Sequence, residues 1–147
     1  MVEKDTRGSV KPDLSLIGEE HVRRYRETDG AVGHDWNGAP CLVLTTRGRR
    51  SGTDRSLAII YGRNGDDYFV VASKGGAPSH PAWYLNLMAE PRVQVQVRSD
   101  RFEANARTAE GSERAHLWRI ATDVWPNYDQ YAARTDREIP IVVLERI

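Results

Sequence analysis

The nine residues from Arg47 to Arg55, Arg-Gly-Arg-Arg-Ser-Gly-Thr-Asp-Arg, set four arginines against one aspartate, a local excess of three positive charges. Gly48 and Gly52 let backbone N–H groups converge into a concave anion-binding nest. The guanidinium fork makes paired, charge-assisted hydrogen bonds to phosphate oxygens, each about twice as strong as a neutral one. Such a turn suits a phosphate. By composition alone an ordinary solvated hairpin tip is the commoner reading. A second segment, Ser73-Lys74-Gly75-Gly76-Ala77-Pro78-Ser79-His80-Pro81, leads into a predicted helix. The free N–H groups and partial positive charge of that helix start favour an anion, and Lys74 adds a full charge. Glycine-rich strand-to-helix loops also arise for geometric reasons. Gly75 and Gly76 adjoin, with no third glycine at the spacing of a dinucleotide fingerprint, so a Rossmann site is not expected.

Aromatic residues form a third set. Trp83 and Tyr84 open one predicted helix, and Trp125, Tyr128 and Tyr131 follow at intervals of three residues in another. They could wall a planar ring, although a core stripe is the commoner use of such spacing. A tyrosine in a cleft can hydrogen-bond or protonate a substrate oxygen. Covalent hydrolysis is not indicated, because there is no Gly-x-Ser-x-Gly elbow. Cys41, the one cysteine, lies in the apolar run Cys41–Leu44 and reads as a buried, inert thiol. His21, His34, His80 and His116 lack zinc-type spacing, so no metal is expected.

The elements that position these residues follow from periodicity and turn chemistry. A chain of 147 residues with 39% hydrophobic content supports a single domain. Residues 1–17 read as a mobile N-terminal tail, and 18–147 as the folded domain. A helix is predicted over Gly18–Thr28. Strands are predicted over Cys41–Thr46, Leu57–Tyr61 and Tyr68–Ala72, with the arginine turn joining the first two. Pro81 suits the first helical position, and Pro91 stops the helix after Glu90. Alternation predicts a hairpin from Val93–Val97 and Phe102–Ala106. Helices over Gly111–Asp123 and from Pro126 precede a central strand at Ile141–Leu144. About six mostly antiparallel strands with three or four helices make an α+β fold, and six such strands can close into a small barrel.

Twenty-one basic and twenty-one acidic residues cancel, which speaks against a nonspecific nucleic-acid partner. The amino terminus has no apolar signal region, and a cytoplasmic protein is expected. Leu14, Leu16 and Ile17 leave peripheral membrane contact through the N-terminal segment open without requiring it.

Several segments in order resemble one family. They are Trp36–Pro40, Thr45–Gly52, Ala72–Pro78, His80–Leu87 and Arg134–Pro140, with similar spacing from about His21 to the carboxyl end. Together they resemble the deazaflavin (F420)-dependent nitroreductases of actinobacteria. The resemblance implies a split β-barrel of the flavin-reductase kind and coenzyme F420 as hydride carrier. It implies a quinone, nitro compound or other activated small molecule as electron acceptor. Arg49, Arg50, Ser51, Gly52 and Arg55 match phosphate-side positions, and Ser73, Lys74, Gly75 and Gly76 match a segment beside the cofactor. Trp83 lies in the matching helix. Trp125, Tyr128 and Tyr131 match the substrate side, with Tyr128 or Tyr131 as candidate for stabilising or protonating the reduced oxygen. Arg50 stands where many relatives have lysine, keeping the charge. Trp125 stands where the drug-activating nitroreductases carry tyrosine, replacing a phenol with an indole that only donates. An FMN reductase, a non-catalytic F420-storage protein and a homodimer remain open at this level.

Overall fold

The fold is seen in a computed structural model that describes residues 3–4 and 10–147. Its centre is a closed barrel of six antiparallel strands: β4 (Ala39–Arg47), β5 (Asp54–Asn64), β6 (Asp67–Val71), β7 (Arg92–Val97), β8 (Asp100–Thr108) and β9 (Ile141–Arg146). They run in the order β4-β5-β6-β9-β8-β7, and β4 also pairs with β7 through Val43↔Gln96, Leu44↔Val95 and Thr45↔Gln94. That last ladder leaves no open sheet edge between the first and last strands. Short strands β1 (Glu3–Lys4) and β2 (Val10–Lys11) pair with each other, and β3 (Asp35–Trp36) extends β4. The helices are α1 (Gly18–Thr28), α2 (Ala82–Ala89), α3 (Gly111–Val124) and α4 (Asn127–Ala133).

Period-two alternation builds two cores from the same strands. Leu42 and Leu44, Val70, Val93 and Val95, Ala104 and Ala106, and Val142 and Leu144 point into the barrel. Phe69, Val71, Ile141 and Val143 point outward and meet Leu117 and Ala121 of α3 and Tyr128 of α4. Each strand is thus buried on both faces where helices cover it. One glycine makes this packing workable. Gly62 pairs with Phe69 across β5 and β6, and a methyl at Gly62 would overlap the Phe69 ring. Gly62→Ala is expected to cost about 1–3 kcal/mol by overpacking, outweighing the smaller gain from replacing a strand glycine. A urea midpoint equal to the parent's would remove Phe69 as the keystone of the outer core.

The predicted strands and helices are present, with β5 extending beyond Leu57–Tyr61 at both ends. Pro81 is the N-cap of α2 rather than its first helical residue, with extended backbone at ψ 151°. Tyr84 does not join an aromatic wall. It is buried in the barrel core, where its hydroxyl lies 2.9 Å from Thr108 Oγ1.

The tail predicted over 1–17 is also different where it is described. Residues 10–17 lie on the barrel as a strap. Val10 is buried, and its N–H donates to Asn127 Oδ1 at 2.6 Å while its carbonyl accepts from Asn127 Nδ2 at 2.7 Å. Asn37 grips Asp13 the same way, at 2.7 Å and 2.9 Å. Trp36 Nε1 donates to Leu16 O at 2.7 Å. The rest of the predicted tail, apart from Glu3–Lys4, lies outside the described residues. No helix among the described residues is long and apolar enough to cross a membrane.

Candidate active site

The arginine turn is a closed loop held by its own backbone. Gly48 N–H donates to Thr53 O and Gly52 N–H to Gly48 O, both at 2.8 Å. Gly52 sits at φ +70°, a conformation that glycine adopts without penalty. A Cβ at Gly48 would stand 2.6 Å from Ser51 Oγ and 3.1 Å from Thr53 O, so a side chain there would displace Ser51. Asn86, buried on α2, fixes the turn to the helix. Its Oδ1 accepts from the Arg49 N–H at 3.2 Å and from Arg49 Nη1 at 3.1 Å, while its Nδ2 donates to Thr46 Oγ1 at 3.3 Å. Among the described residues no carboxylate pairs with Arg47, Arg49, Arg50 or Arg55. The N–H groups of Arg50 and Ser51 likewise have no partner there. Uncompensated cations beside free N–H donors are what an anion requires.

Arg49, Arg50, Ser51, Arg55, Trp83 and Asn86 border a groove of about 470 Å³. A cleft of about 420 Å³ adjoins it, with Trp83 again in its wall. Strand β5 runs from one to the other, giving Leu57 to the groove and Ala58 and Ile60 to the cleft. Another groove, of about 460 Å³, lies over β4, β7 and β8, lined by Thr45, Gln94 and Gln96. It contains none of the predicted cofactor- or substrate-side residues, so chemistry rather than size distinguishes the sites.

Trp125, Tyr128 and Tyr131 come together in the cleft, but only the two tyrosines lie on α4, since Trp125 is the extended cap that ends α3. The Tyr128 and Tyr131 rings meet edge-on at 6.1 Å, and Trp125 Nε1–H donates to the Tyr131 hydroxyl at 3.3 Å. That leaves the Tyr131 O–H as a donor. The Tyr128 hydroxyl has no hydrogen-bond partner among the described residues, and Tyr128 borders the cleft. Burial, aided by Cys41 and Tyr131, pushes its phenol well above the ordinary tyrosine range. Tyr128 therefore stays a neutral hydrogen-bond donor. Burial also pushes the Cys41 thiol, in the same cleft, up to about 12, so no thiolate is available as a nucleophile.

The loop beside the tyrosines has an unusual backbone. Lys74, Gly75 and Gly76 all have positive φ, at +46°, +63° and +81°. A lysine held this way costs about 1–3 kcal/mol, which the surroundings must offset. Arg137 does so: its guanidinium donates to Ala72 O, Ser73 O and Ala77 O at 3.2, 2.7 and 2.7 Å, and to His80 Nδ1 at 3.1 Å. Neither Lys74 nor Gly75 has a partner for its N–H among the described residues, and both border the cleft.

Arg49, Arg50, Ser51, Arg55 and Trp83 border the groove, Ser73, Lys74, Gly75, Trp83, Trp125, Tyr128 and Tyr131 border the cleft, Gly52 and Gly76 shape the two loops, and Tyr84 lies in the barrel. Asn86, Arg137, His21 and the strap residues carry no predicted role, yet they hold or line the site. Asn86 and Arg137 stand within segments that carry the resemblance. Their partners are remote in sequence, so no local pattern marks them.

The profile of the family described as F420H(2)-dependent quinone reductase matches residues 18–146. The chain belongs to this family. It is 42% identical over 130 residues to the F420H(2)-dependent quinone reductase Rv1261c of Mycobacterium tuberculosis, covering 86% of this chain and 87% of that one. A solved F420-H2-dependent reductase, FDR-A, superposes with TM-score 0.68 at 40% identity, covering 72% of this chain and 94% of that one. A structure described as a domain-swapped dimer gives TM-score 0.70 at 38% identity, covering 84% and 96%. As an F420H2-dependent quinone reductase, the chain is an oxidoreductase with a split β-barrel, F420H2 as reductant and a quinone as acceptor. The family's reductant is a deazaflavin rather than flavin mononucleotide.

Proposed function

We propose that the arginine groove holds the phosphate side of F420H2, that the cleft receives its deazaflavin ring past Trp83, and that the quinone lies beside Trp125, Tyr128 and Tyr131. The continuity of the two cavities through Trp83 carries this assignment, because a cofactor with one planar and one anionic end needs such a pair of joined spaces. The residues present fit that group: unpaired guanidinium groups and free N–H donors face one space, and aromatic rings line the other.

When bound, the deazaflavin supplies the hydride. The protein contributes position, donors and exclusion of water. Arg49, Arg50, Ser51, Gly52 and Arg55 bind the anionic end, and the free N–H groups of Lys74 and Gly75 are donors for ring carbonyls. The strap covers part of the cleft with Pro12, Leu14 and Ile17. Tyr128 and Tyr131 donate hydrogen bonds to one quinone oxygen and so polarise the ring for reduction, a contribution that grows in a water-poor site. Homodimer formation is supported by the relative described as a domain-swapped dimer.

The test is oxidation of reduced F420 that starts only when menadione is added. Oxidation without an acceptor, or none with it, would defeat the quinone-reductase assignment. Tyr131→Phe is expected to lower kcat with menadione about 10- to 100-fold, since it removes a donor and strips Trp125 Nε1–H of its acceptor. Unchanged turnover would take Tyr131 out of the chemistry.

A further inference from the structure

His21, on α1, is only 5% exposed and borders the cleft. Its Nε2 lies 2.8 Å from Gly33 O, and a carbonyl can only accept, so Nε2 carries the hydrogen. Gly33 admits the imidazole: a Cβ there would stand 2.9 Å from His21 Cδ2. Nδ1 has no hydrogen-bond partner among the described residues, in a side chain that borders the cleft. The His21 ring stacks on Trp36 with centroids 6.4 Å apart, Trp36 meets Trp125 at 5.6 Å, and Trp125 Nε1 reaches the Tyr131 hydroxyl at 3.3 Å. His21 and the tyrosine pair therefore stand at opposite ends of one aromatic row.

Reduction of a para-quinone turns carbonyl oxygens on opposite sides of a ring into hydroxyls. One hydride and one proton are added: the hydride brings both electrons and the hydrogen of the hydroxyl beside Tyr128 and Tyr131, and the proton completes the hydroxyl on the opposite side. We infer that His21 Nδ1 delivers the proton to the quinone oxygen remote from Tyr128 and Tyr131, an inference that rests on the quinone-reductase assignment. In the imidazolium, Nε2–H keeps its bond to Gly33 O while Nδ1–H points at the acceptor. The new O–H bond forms as the Nδ1–H bond breaks, leaving neutral His21. The proton released to solvent as F420H2 becomes F420 balances the one that recharges His21.

The experiment has two arms. In cofactor-free protein with 15N-labelled histidine, adding menadione is expected to move the His21 Nδ1 resonance. In the loaded enzyme, His21→Gln is expected to lower kcat with menadione about tenfold or more, with F420 affinity within about twofold of the parent. Added imidazole is expected to restore turnover to His21→Ala, which a purely structural loss would not allow. A resonance that stays in place, or a kcat within about twofold of the parent, overturns the inference. If the variants do not fold, the resonance in the parent protein decides. Failure of the parent to oxidise reduced F420 with menadione would defeat the quinone-reductase assignment instead, whatever the resonance does.

Discussion

Replacing Arg49 and Arg50 together by alanine is expected to weaken F420 binding about 30- to 1,000-fold while the barrel stays folded. A charge-assisted hydrogen bond contributes about 1.5–3 kcal/mol. Two would give about 3–6 kcal/mol, but both side chains are exposed and solvent screens them, which lowers the loss to about 2–4 kcal/mol. Stability should change little. The Arg49 N–H still reaches Asn86 Oδ1 at 3.2 Å after its side chain is gone, so the turn remains docked on α2. Fluorescence titration of both proteins at several salt concentrations measures the effect, and the parent's affinity should fall more steeply with salt than the variant's. Equal affinities would show that the anion sits elsewhere.

Gly76→Ala is expected to act on the other half of the site and to cost more stability. A Cβ there would stand 2.5 Å from Tyr131 O and 3.0 Å from Tyr131 Cα, both backbone atoms that cannot swing aside. The φ of +81° adds strain for any residue with a side chain. Overpacking of about 1–3 kcal/mol and strain of about 1–2 kcal/mol together predict a loss of about 2–5 kcal/mol. The clash lifts α4 from the Lys74–Gly76 loop, so a folded variant should lose turnover beyond the loss of stability. Thermal unfolding and menadione reduction measured on one preparation separate the two losses. A variant with parental Tm and kcat would mean that Tyr131 does not depend on this contact.

These two sites differ in how plainly the sequence displays them. The arginine turn lies between two runs of branched residues, so charge, glycine and position coincide within nine residues. Val93, Val95 and Val97 reveal their strand by alternation alone, because only period two puts them on one face. Trp125, Tyr128 and Tyr131 follow helical spacing and do share a cleft, but Trp83 and Tyr84 show the limit of composition. As neighbours on one helix they point different ways, Trp83 to the groove and cleft and Tyr84 into the barrel. Arg137 illustrates a second limit. It serves four acceptors at least 57 residues away, and long-range closure of this kind leaves no local periodicity. The strap was hidden for a third reason. Side chains of Trp36, Asn37 and Asn127 hold its main-chain atoms, and contacts to the main chain leave no mark on the strap's own sequence.

The way the strap is held has an evolutionary consequence. Asn127, Asn37 and Trp36 reach only its main-chain atoms: the N–H and carbonyl of Val10, the N–H and carbonyl of Asp13, and the carbonyl of Leu16. Position is thereby uncoupled from sequence. Side chains at Pro12, Leu14 and Ile17 can change while the segment keeps its course over the cleft. A lineage could then retune which acceptors fit without disturbing the barrel, the arginine turn or the tyrosines. The strap is the exchangeable part of an otherwise fixed machine.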